Sequence, residues 1–324
     1  MSAIPEPAVP PPPTKQDIKT KRELMIAENE ESSRIKGIEE QCKKIVVQSL
    51  ESTKHEGIAH DHWVLFNVDV RPKLQGSAPR CGLVALSMAA EMARISREGD
   101  KRSHLDYSKN TLRYDDDDND ESELTAIVNL AKSLSFTSEG EMFSARNLAT
   151  LAHKFYDLKT LVTENSFDDI QRIIDHLLRG NPLLVPYDAA PNHEPCLLKG
   201  RKSHWALLTG FLCAVDGSAV NCLELKGSNI NVDFDQNVST IHVIEKPGAE
   251  IQRFLLNNMI HSTIYLLARQ PKSRHVAIWS LNSLQESNSN LFELNDNKEN
   301  AQSFVIPDGG VYEGLCKKLI YLNY

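Results

Sequence analysis

Near Asn181 the sequence changes from the pattern of amphipathic helices to that of short strands, and this change constrains the fold more than any other feature. Before it, ESELTAIVNLAKSL, SARNLATLAHKFY and SFDDIQRIIDHLLRG have the apolar spacing of amphipathic helices, the last with Ser166 or Asp168 as its cap and Gly180 at its end. After it come short apolar runs separated by Pro, Gly, Asp and Asn: NPLLVPYD, HWALLTGFLCAV, VNCLELKG, STIYLLARQ and HVAIWSL. Helices followed by strands predict an α+β fold with helices packed on an antiparallel sheet.

Residues 1–40 differ in composition from the rest of the chain. They contain the proline run Pro10–Pro13 and a long, highly charged stretch, both typical of an extended and flexible segment. Further on, apolar residues return at close to helical spacing at Ile38, Cys42, Ile45, Val46 and Leu50. We therefore predict a flexible tail over 1–40 and one folded domain over 41–324.

Charge and hydropathy narrow the classes of function. The formal charge is −8 and the sequence has no long basic run, which argues against nucleic acid as a partner. No stretch approaches the ~20 apolar residues of a membrane span, and MSAIPEPAV lacks the features of a secretory signal, so we expect a cytoplasmic protein. In that reducing compartment we expect free thiols at the six cysteines: Cys42, Cys81, Cys196, Cys213, Cys222 and Cys316.

Cys81 is the strongest candidate for a nucleophile. It follows the turn-forming segment RPKLQGSAPR and begins CGLVALSMAAEMARIS, a good helix former, so its thiol lies at a helix N-terminus that favours the thiolate. Upstream, Gln75 carries an amide that can donate to an oxyanion, and Gly82 would leave the thiolate approachable. A cysteine that starts a helix is, however, more often a small core residue.

His204 is the candidate base. It lies in GRKSHWALLTGF, where a polar loop meets an apolar strand, and its position far downstream of Cys81 matches an arrangement in which the two groups meet across a cleft. A third group should orient the imidazole, and both Asn282 and Asp216 remain open for this role, with Asn282 preferred. A histidine at a strand start can also be an ordinary surface residue.

A zinc site is the main rival interpretation. Thiolates and imidazoles are good zinc ligands, and the sequence offers His193, Cys196 and His204 together with Cys213 or Cys222. Only His193 and Cys196 have the tight spacing typical of zinc ligands, so we expect no metal and no other cofactor.

The blocks APRCGLVALSMA, TSEGEMFS and LLVPYDAAPNHEPCLLKGRKSHWALLTG resemble the actin maturation protease family, cysteine aminopeptidases related to papain-like and bacteriocin-processing peptidases. The resemblance extends from about Trp63 to the C-terminus. It implies a papain-like fold and removal of the acetylated first Met or Cys of actin, which leaves an acidic N-terminus. It also implies that Cys81 is the nucleophile and His204 the base.

This sequence departs from the family pattern at two places. Ser280 follows Trp279 where relatives have an acidic residue, and the loop around Gln75 differs in composition, so neither the third group nor the oxyanion donor follows from the resemblance alone. In the block GEMFS, Glu141 and Phe143 are candidates for the cleft wall, although Met142 and Phe143 are also typical core residues.

The resemblance also suggests partners. Similar proline runs bind profilin, and Pro10–Pro13 can serve this purpose or act as a mere spacer. Actin is the expected substrate of a monomeric enzyme. Because actin N-termini are acidic, we expect the cations Lys199, Arg201 and Lys202, with Arg80, to attract the substrate. A non-catalytic actin or profilin adaptor is the alternative from a different functional class.

Overall fold

The computed structural model describes residues 15–53, 60–101, 117–165, 167–220, 228–234, 237–294 and 304–324. The proline run Pro10–Pro13, the candidate cap Ser166 and the candidate ligand Cys222 lie outside these residues. The five described cysteines are all free thiols. None of the described helices is both long enough and apolar enough to cross a lipid bilayer.

The described residues form helices and strands that alternate along the chain. The helices are α1 (Lys15–Thr53), α2 (Cys81–Lys101), α3 (Asp117–Ser133), α4 (Ala145–Tyr156), α5 (Ile170–Leu178), α6 (Gly217–Val220), α7 (Ala249–Asn258), α8 (Leu281–Ser289) and α9 (Gly310–Leu315), with a 3-10 turn at His261–Thr263. The strands are β1 (His62–Asn67), β2 (Lys159–Thr163), β3 (Leu183–Asp188), β4 (Ser203–Ala214), β5 (Asn229–Phe234), β6 (Asn237–Ile244), β7 (Tyr265–Arg269), β8 (Ala277–Ser280) and β9 (Leu319–Asn323).

The strands form one sheet in the order β2-β9-β3-β4-β1-β6-β5, with β7 joined to β4 and β8 joined to β7. The ladder between β1 and β6 is parallel, and the other described ladders are antiparallel. β4 pairs with β3 along its first half and with β1 along its second half. At the crossing with β1, a Cβ atom on Gly210 would lie 2.0 Å from the carbonyl oxygen of Phe66, so only glycine fits there. The predicted α+β class is confirmed.

Helices cover both faces of this sheet. Side chains alternate along β4, since successive residues of a strand point to opposite faces. Trp205 and Leu207 belong to the apolar cluster that contains α2 and α4, whereas Ala206 and Leu208 belong to the cluster that contains α5 and α7. β4 is therefore buried on both sides, and α2 packs directly on it.

The N-terminal helix differs from our expectation in length. We expected a flexible tail up to residue 40, but α1 begins at Lys15. The periodicity predicted from Ile38 onward is confirmed, because Ile38, Cys42, Val46 and Leu50 are buried in one apolar cluster with residues of β1, β4, β5, β6 and β7. The polar first half of α1 carries no such pattern, which is why its sequence reads as a solvated segment. The boundary between tail and domain stays a prediction.

The start of α5 also differs from our expectation. The cap is Asp169, whose carboxylate accepts a hydrogen bond from the Arg172 backbone N–H at 2.9 Å, so the prediction of Ser166 or Asp168 is corrected. Asp168 and Asp169 are adjacent and chemically identical, and the sequence alone does not separate them. The predicted end at Gly180 is confirmed by its positive φ of 73°.

Glu141 fixes the segment between α3 and α4. Its buried carboxylate accepts hydrogen bonds from the backbone N–H groups of Ser138 at 2.9 Å, Glu139 at 2.7 Å and Val305 at 3.0 Å. Burial raises the pKa of Glu141, but these N–H groups outweigh it and hold the pKa below its usual value. The carboxylate thus joins this segment to the chain before α9.

We expect Glu141→Gln to lower the free energy of unfolding by about 2–4 kcal/mol at neutral pH, because an amide nitrogen would face backbone donors. The folded-state pKa is the lower one, so the stabilisation is complete above the unfolded value of about 4.3 and is lost as the pH falls through the folded value. Urea denaturation of both proteins from neutral pH to about pH 3.5 should therefore show a difference that shrinks below about pH 4.3.

Glu139→Gln is the matched control, since Glu139 is exposed and only two positions away. It should leave stability within about 0.5 kcal/mol of the wild type. A loss in Glu141→Gln that is the same at every pH would contradict a role for the charge.

Candidate active site

The three residues predicted to carry the chemistry line one cleft. This cleft has a volume of about 470 Å³ and contains Gln75, Cys81 and His204. Its other walls are formed mainly by three segments, the one around Glu141, the loop between β3 and β4, and the start of the loop after β7: Glu141, Met142, Phe143, Ala189, Ala190, Pro191, His193, Gly200, Arg201, Lys202, Ser203, Trp205 and Lys272. The structure therefore brings together residues that are far apart in the sequence.

Cys81 is the first residue of α2, as predicted. The turn before it is held at Arg80, whose guanidinium donates to the Gln75 carbonyl at 3.2 Å and to both carboxylate oxygens of Glu121 at 3.0 and 3.2 Å. The helix then begins with a hydrogen bond from the Val84 N–H to the Arg80 carbonyl at 3.0 Å. This anchored turn fixes where the thiol points.

The surroundings of Cys81 act on its thiol in opposite directions. Burial raises the pKa of the thiol, and this effect prevails. The backbone N–H groups of Trp205 and Gly82 and the positive charge of Lys272 lower it. The surroundings therefore favour the thiol over the thiolate on balance, although several groups that favour the anion lie around the sulfur.

Gly82 has a different role from the one predicted. It is buried, and a Cβ atom there would lie 2.9 Å from the Met142 Cβ atom and 3.0 Å from the Trp205 ring. The missing side chain lets α2 approach β4 closely, whereas we expected it to open the thiol to substrate. Trp205 is fixed in turn by a hydrogen bond of 2.8 Å from its indole N–H to the Met142 carbonyl.

Gln75 is 5% exposed and lies in the cleft wall. Its backbone N–H donates to the Pro271 carbonyl at 2.9 Å, and its side-chain amide donates to the Ala78 carbonyl at 2.9 Å. An amide group has two N–H bonds, so one donor remains after the contact with Ala78. The position is suited to a donor directed at a bound carbonyl.

His204 is the second residue of β4, directly opposite Tyr187 in the ladder with β3. The two ring centroids are 6.4 Å apart. Tyr187 is buried, donates its hydroxyl hydrogen to the His193 carbonyl at 3.1 Å, and has a pKa raised by burial and by the nearby Cys81. A neutral aromatic ring thus lies beside both His204 and Cys81. Tyr187 was not among the predicted site residues, because only the pairing of β3 with β4 identifies it.

The loop that leads into His204 wraps around a buried carboxylate. Asp188, at the end of β3, is fully buried and accepts hydrogen bonds from the backbone N–H groups of Leu198 at 2.8 Å, Gly200 at 2.7 Å and Lys202 at 2.9 Å. These contacts set the path of the chain just before His204. Asp188 was also missed; the signal was an acidic residue that ends an apolar strand.

The candidates for a third group are not brought into the cleft. Asn282 is exposed in the first turn of α8 and is not among the residues that line the cleft. The strand that precedes it ends at Ser280, whose side chain caps α8, so Asn282 belongs to a helix. Asp216 is an exposed turn residue whose carboxylate accepts from the Ser218 N–H at 2.9 Å.

The predicted substrate-binding cations differ in their surroundings. Glu293 pairs with Arg201 at 2.9 Å and with Lys199 at 3.6 Å, and Glu121 pairs with Arg80. Lys202 lines the cleft and has no carboxylate within ion-pair distance among the described residues. Lys272, which was not among the predicted cations, also lines the cleft.

Those candidate zinc ligands that the structure describes do not come together at one point. His193 and His204 both line the cleft, but Cys213 is fully buried among apolar side chains, and this burial raises its pKa to about 12. In the part of the chain that the structure describes, no three potential metal ligands gather at one point. The geometry thus favours the interpretation based on cysteine and histidine.

Comparison with known proteins identifies relatives over most of the chain. Residues 70–212, which include Gln75, Cys81 and His204, match the family model described as "Actin maturation protease-like, C-terminal domain". The protein named actin maturation protease in Xenopus tropicalis is 30% identical over 80% of this chain and 73% of its own length. The proteins of that name in Danio rerio and Homo sapiens are 29% and 30% identical, over 94% and 81% of this chain and 87% and 66% of their own lengths.

No solved structure matches this chain. The similarity in sequence, by contrast, is extensive, and the range that matches the family model spans the positions of Gln75, Cys81 and His204. On these grounds, the chain belongs to the actin maturation protease family.

Proposed function

We propose that this protein is a cytoplasmic cysteine-type aminopeptidase of papain-like fold that removes the acetylated first residue of actin, acetyl-Met or acetyl-Cys. The observation that carries the proposal is the shared cleft, in which a thiol at a helix N-terminus, an imidazole and a buried amide meet. The name of the relatives, actin maturation protease, supports actin as the substrate. Cleavage would leave an acidic residue at the new N-terminus.

The first chemical step is attack by sulfur. His204 takes the proton of the Cys81 thiol, and the thiolate attacks the carbonyl carbon of the acetylated residue. The carbonyl oxygen becomes negative, and the free N–H of the Gln75 amide stabilises it. The carbon–nitrogen bond then breaks, and the protonated His204 gives its proton to the departing amine of the shortened chain. Water hydrolyses the remaining thioester with His204 as base, which releases the acetylated amino acid and restores the thiol.

The elevated pKa of Cys81 is consistent with this sequence of steps. A buried thiol that stays protonated at rest needs a base when substrate arrives, which is the role given to His204. The N–H groups of Trp205 and Gly82 would then stabilise the thiolate as it forms. Protonation at rest also protects the sulfur from oxidation, since the thiolate is the form that is oxidised.

The proposed papain-like fold is supported by the packing of α2. In that fold, a helix that begins with the nucleophile packs against a mostly antiparallel sheet that carries the base, and α2 and β4 have this relation. Tyr187, which is fixed by its hydrogen bond to the His193 carbonyl, would orient the neighbouring His204 imidazole by packing. The family's third polar group has no counterpart at Asn282, which lies outside the cleft lining.

The proposed partners follow from the substrate. Actin would present its N-terminal peptide to a monomeric enzyme, with Lys202 in the cleft and the Lys199–Glu293–Arg201 cluster beside it. Profilin could bind the proline run Pro10–Pro13 and bring actin to the enzyme. This run lies outside the described residues, and its role rests on the sequence alone.

Cys81→Ala should abolish cleavage of an acetyl-Met-Asp-Glu-Asp peptide, with a loss of about a thousandfold or more, because Cys81 carries the only thiol among the described residues that line the cleft. Mass spectrometry of the products would detect free acetyl-Met and the shortened peptide. Addition of a chelator should not change the wild-type rate.

Cys196→Ala is the matched control, because Cys196 is a half-exposed free thiol outside the cleft lining. It should cleave at the wild-type rate. Cleavage that persists in Cys81→Ala would contradict the mechanism, and cleavage blocked by the chelator would favour a metal hydrolase. If no form cleaves the peptide or actin, the adaptor interpretation takes precedence.

Gln75→Ala should lower kcat by about 10²-fold and change KM little, because an oxyanion donor acts mainly in the transition state. Steady-state kinetics with the same peptide would separate the two constants. Urea denaturation would show whether loss of the Ala78 contact unfolds the protein. A higher KM with an unchanged kcat would contradict the assignment and indicate a role in ground-state binding.

A further inference from the structure

Among the described residues around the cleft, some cations are paired with a carboxylate and others are not. Arg201 faces Glu293, so its charge is locally compensated. The carboxylate of Glu141 is occupied by backbone N–H groups. Lys202 and Lys272 line the cleft, and neither has a carboxylate within ion-pair distance among the described residues. Among the described residues, the cleft therefore presents two positive charges that no carboxylate pairs with.

Lys272 is held in place by its backbone. The preceding residue, Pro271, accepts the hydrogen bond from the Gln75 N–H at 2.9 Å, and the Lys272 N–H donates to the Gln270 side chain at 2.9 Å. Just before them, buried Arg269 donates to Asp69 at 2.9 Å and to the Arg274 carbonyl at 2.8 Å. Hydrogen bonds on both sides of Lys272 thus hold the loop in place, while the Lys272 side chain is exposed to the cleft.

The position of Lys272 relative to the nucleophile limits what it can bind. Its charge acts on the Cys81 thiol, and its loop is bonded to the segment that carries Gln75. A group bound at the Lys272 ammonium would therefore lie close to the peptide bond that Cys81 attacks. Lys202, in contrast, belongs to the loop that leads into His204.

We propose that Lys272 is a specificity-determining residue that binds the carboxylate of the residue directly after the cleaved bond, with Lys202 as a second cation for the acidic chain that follows. This proposal rests on the proposed aminopeptidase function. It assigns the preference for an acidic peptide to an ion pair made inside the cleft. The Lys199–Glu293–Arg201 cluster, already paired, has no part in it.

The test compares three peptides that differ only in the second residue: acetyl-Met-Asp-Glu-Asp, acetyl-Met-Asn-Glu-Asp and acetyl-Met-Lys-Glu-Asp. The enzymes are the wild type, Lys272→Met and Lys272→Glu. We expect the wild type to prefer Asp over Asn in kcat/KM by about fivefold, the upper range for a solvent-accessible ion pair. Lys272→Met should remove this preference, and Lys272→Glu should favour the Lys peptide.

Arg274→Met is the matched control, because Arg274 is an exposed cation on the same loop outside the cleft lining. It should keep the wild-type preference for Asp. A preference for Asp that survives in Lys272→Met would overturn the proposal. Equal loss for Asp and Asn peptides would overturn it as well, since it would indicate a structural role for Lys272.

A binding measurement separates this proposal from the proposed function. In the Cys81→Ala background, fluorescence anisotropy with labelled Asp and Asn peptides reports affinity without turnover. Lys272→Met should weaken binding of the Asp peptide alone, and salt should reduce the difference. Selective binding without cleavage by the wild type would uphold the cation site and reject the aminopeptidase. Equal affinities for both peptides would reject the cation site.

Discussion

The close packing of α2 on β4 is the contact on which the site depends. Gly82 allows the helix to approach until its backbone nearly touches Trp205, and Trp205 is fixed by its hydrogen bond to Met142. Because His204 is the neighbour of Trp205 in β4, this contact positions the proposed nucleophile Cys81 relative to the proposed base His204. A side chain at position 82 would push the helix away and separate the two groups, even if every catalytic residue were present.

Two buried carboxylates hold the irregular loops that form the walls of the cleft around the contact between α2 and β4. Asp188 organises the loop before His204, and Glu141 joins the segment before α4 to the chain before α9. Both carboxylates accept hydrogen bonds from three backbone N–H groups, which is how an irregular loop satisfies its polar groups without a regular ladder. The floor of the cleft is therefore formed by the apolar packing of α2 on β4, and its walls are held by charge-assisted hydrogen bonds.

The sequence predicted those features that depend on local patterns. The α+β class, the helix that begins at Cys81 and the strand at His204 all follow from periodicity and turn residues. Tyr187, Asp188 and Lys272 were missed because their roles arise from pairing between strands and between loops that are distant in the sequence. Asn282 lies outside the cleft lining for a related reason, since Ser280 ends β8 and caps α8. Local pattern gives the elements, but only the sheet order shows which residues face one another.

The cysteines show how the fold gives one thiol a distinct chemistry. Cys42 and Cys213 are buried, and their pKa values are raised to about 12, so they act as small apolar residues. Burial also raises the pKa of Cys81, but this thiol faces backbone N–H groups, a lysine and an open cleft. In the proposed mechanism, the thiolate of Cys81 is disfavoured until His204 accepts the proton, and these groups then stabilise the anion. This lysine is Lys272, which is also proposed to bind the substrate carboxylate. The negative charge on the substrate and that on the Cys81 sulfur would therefore both interact with one side chain.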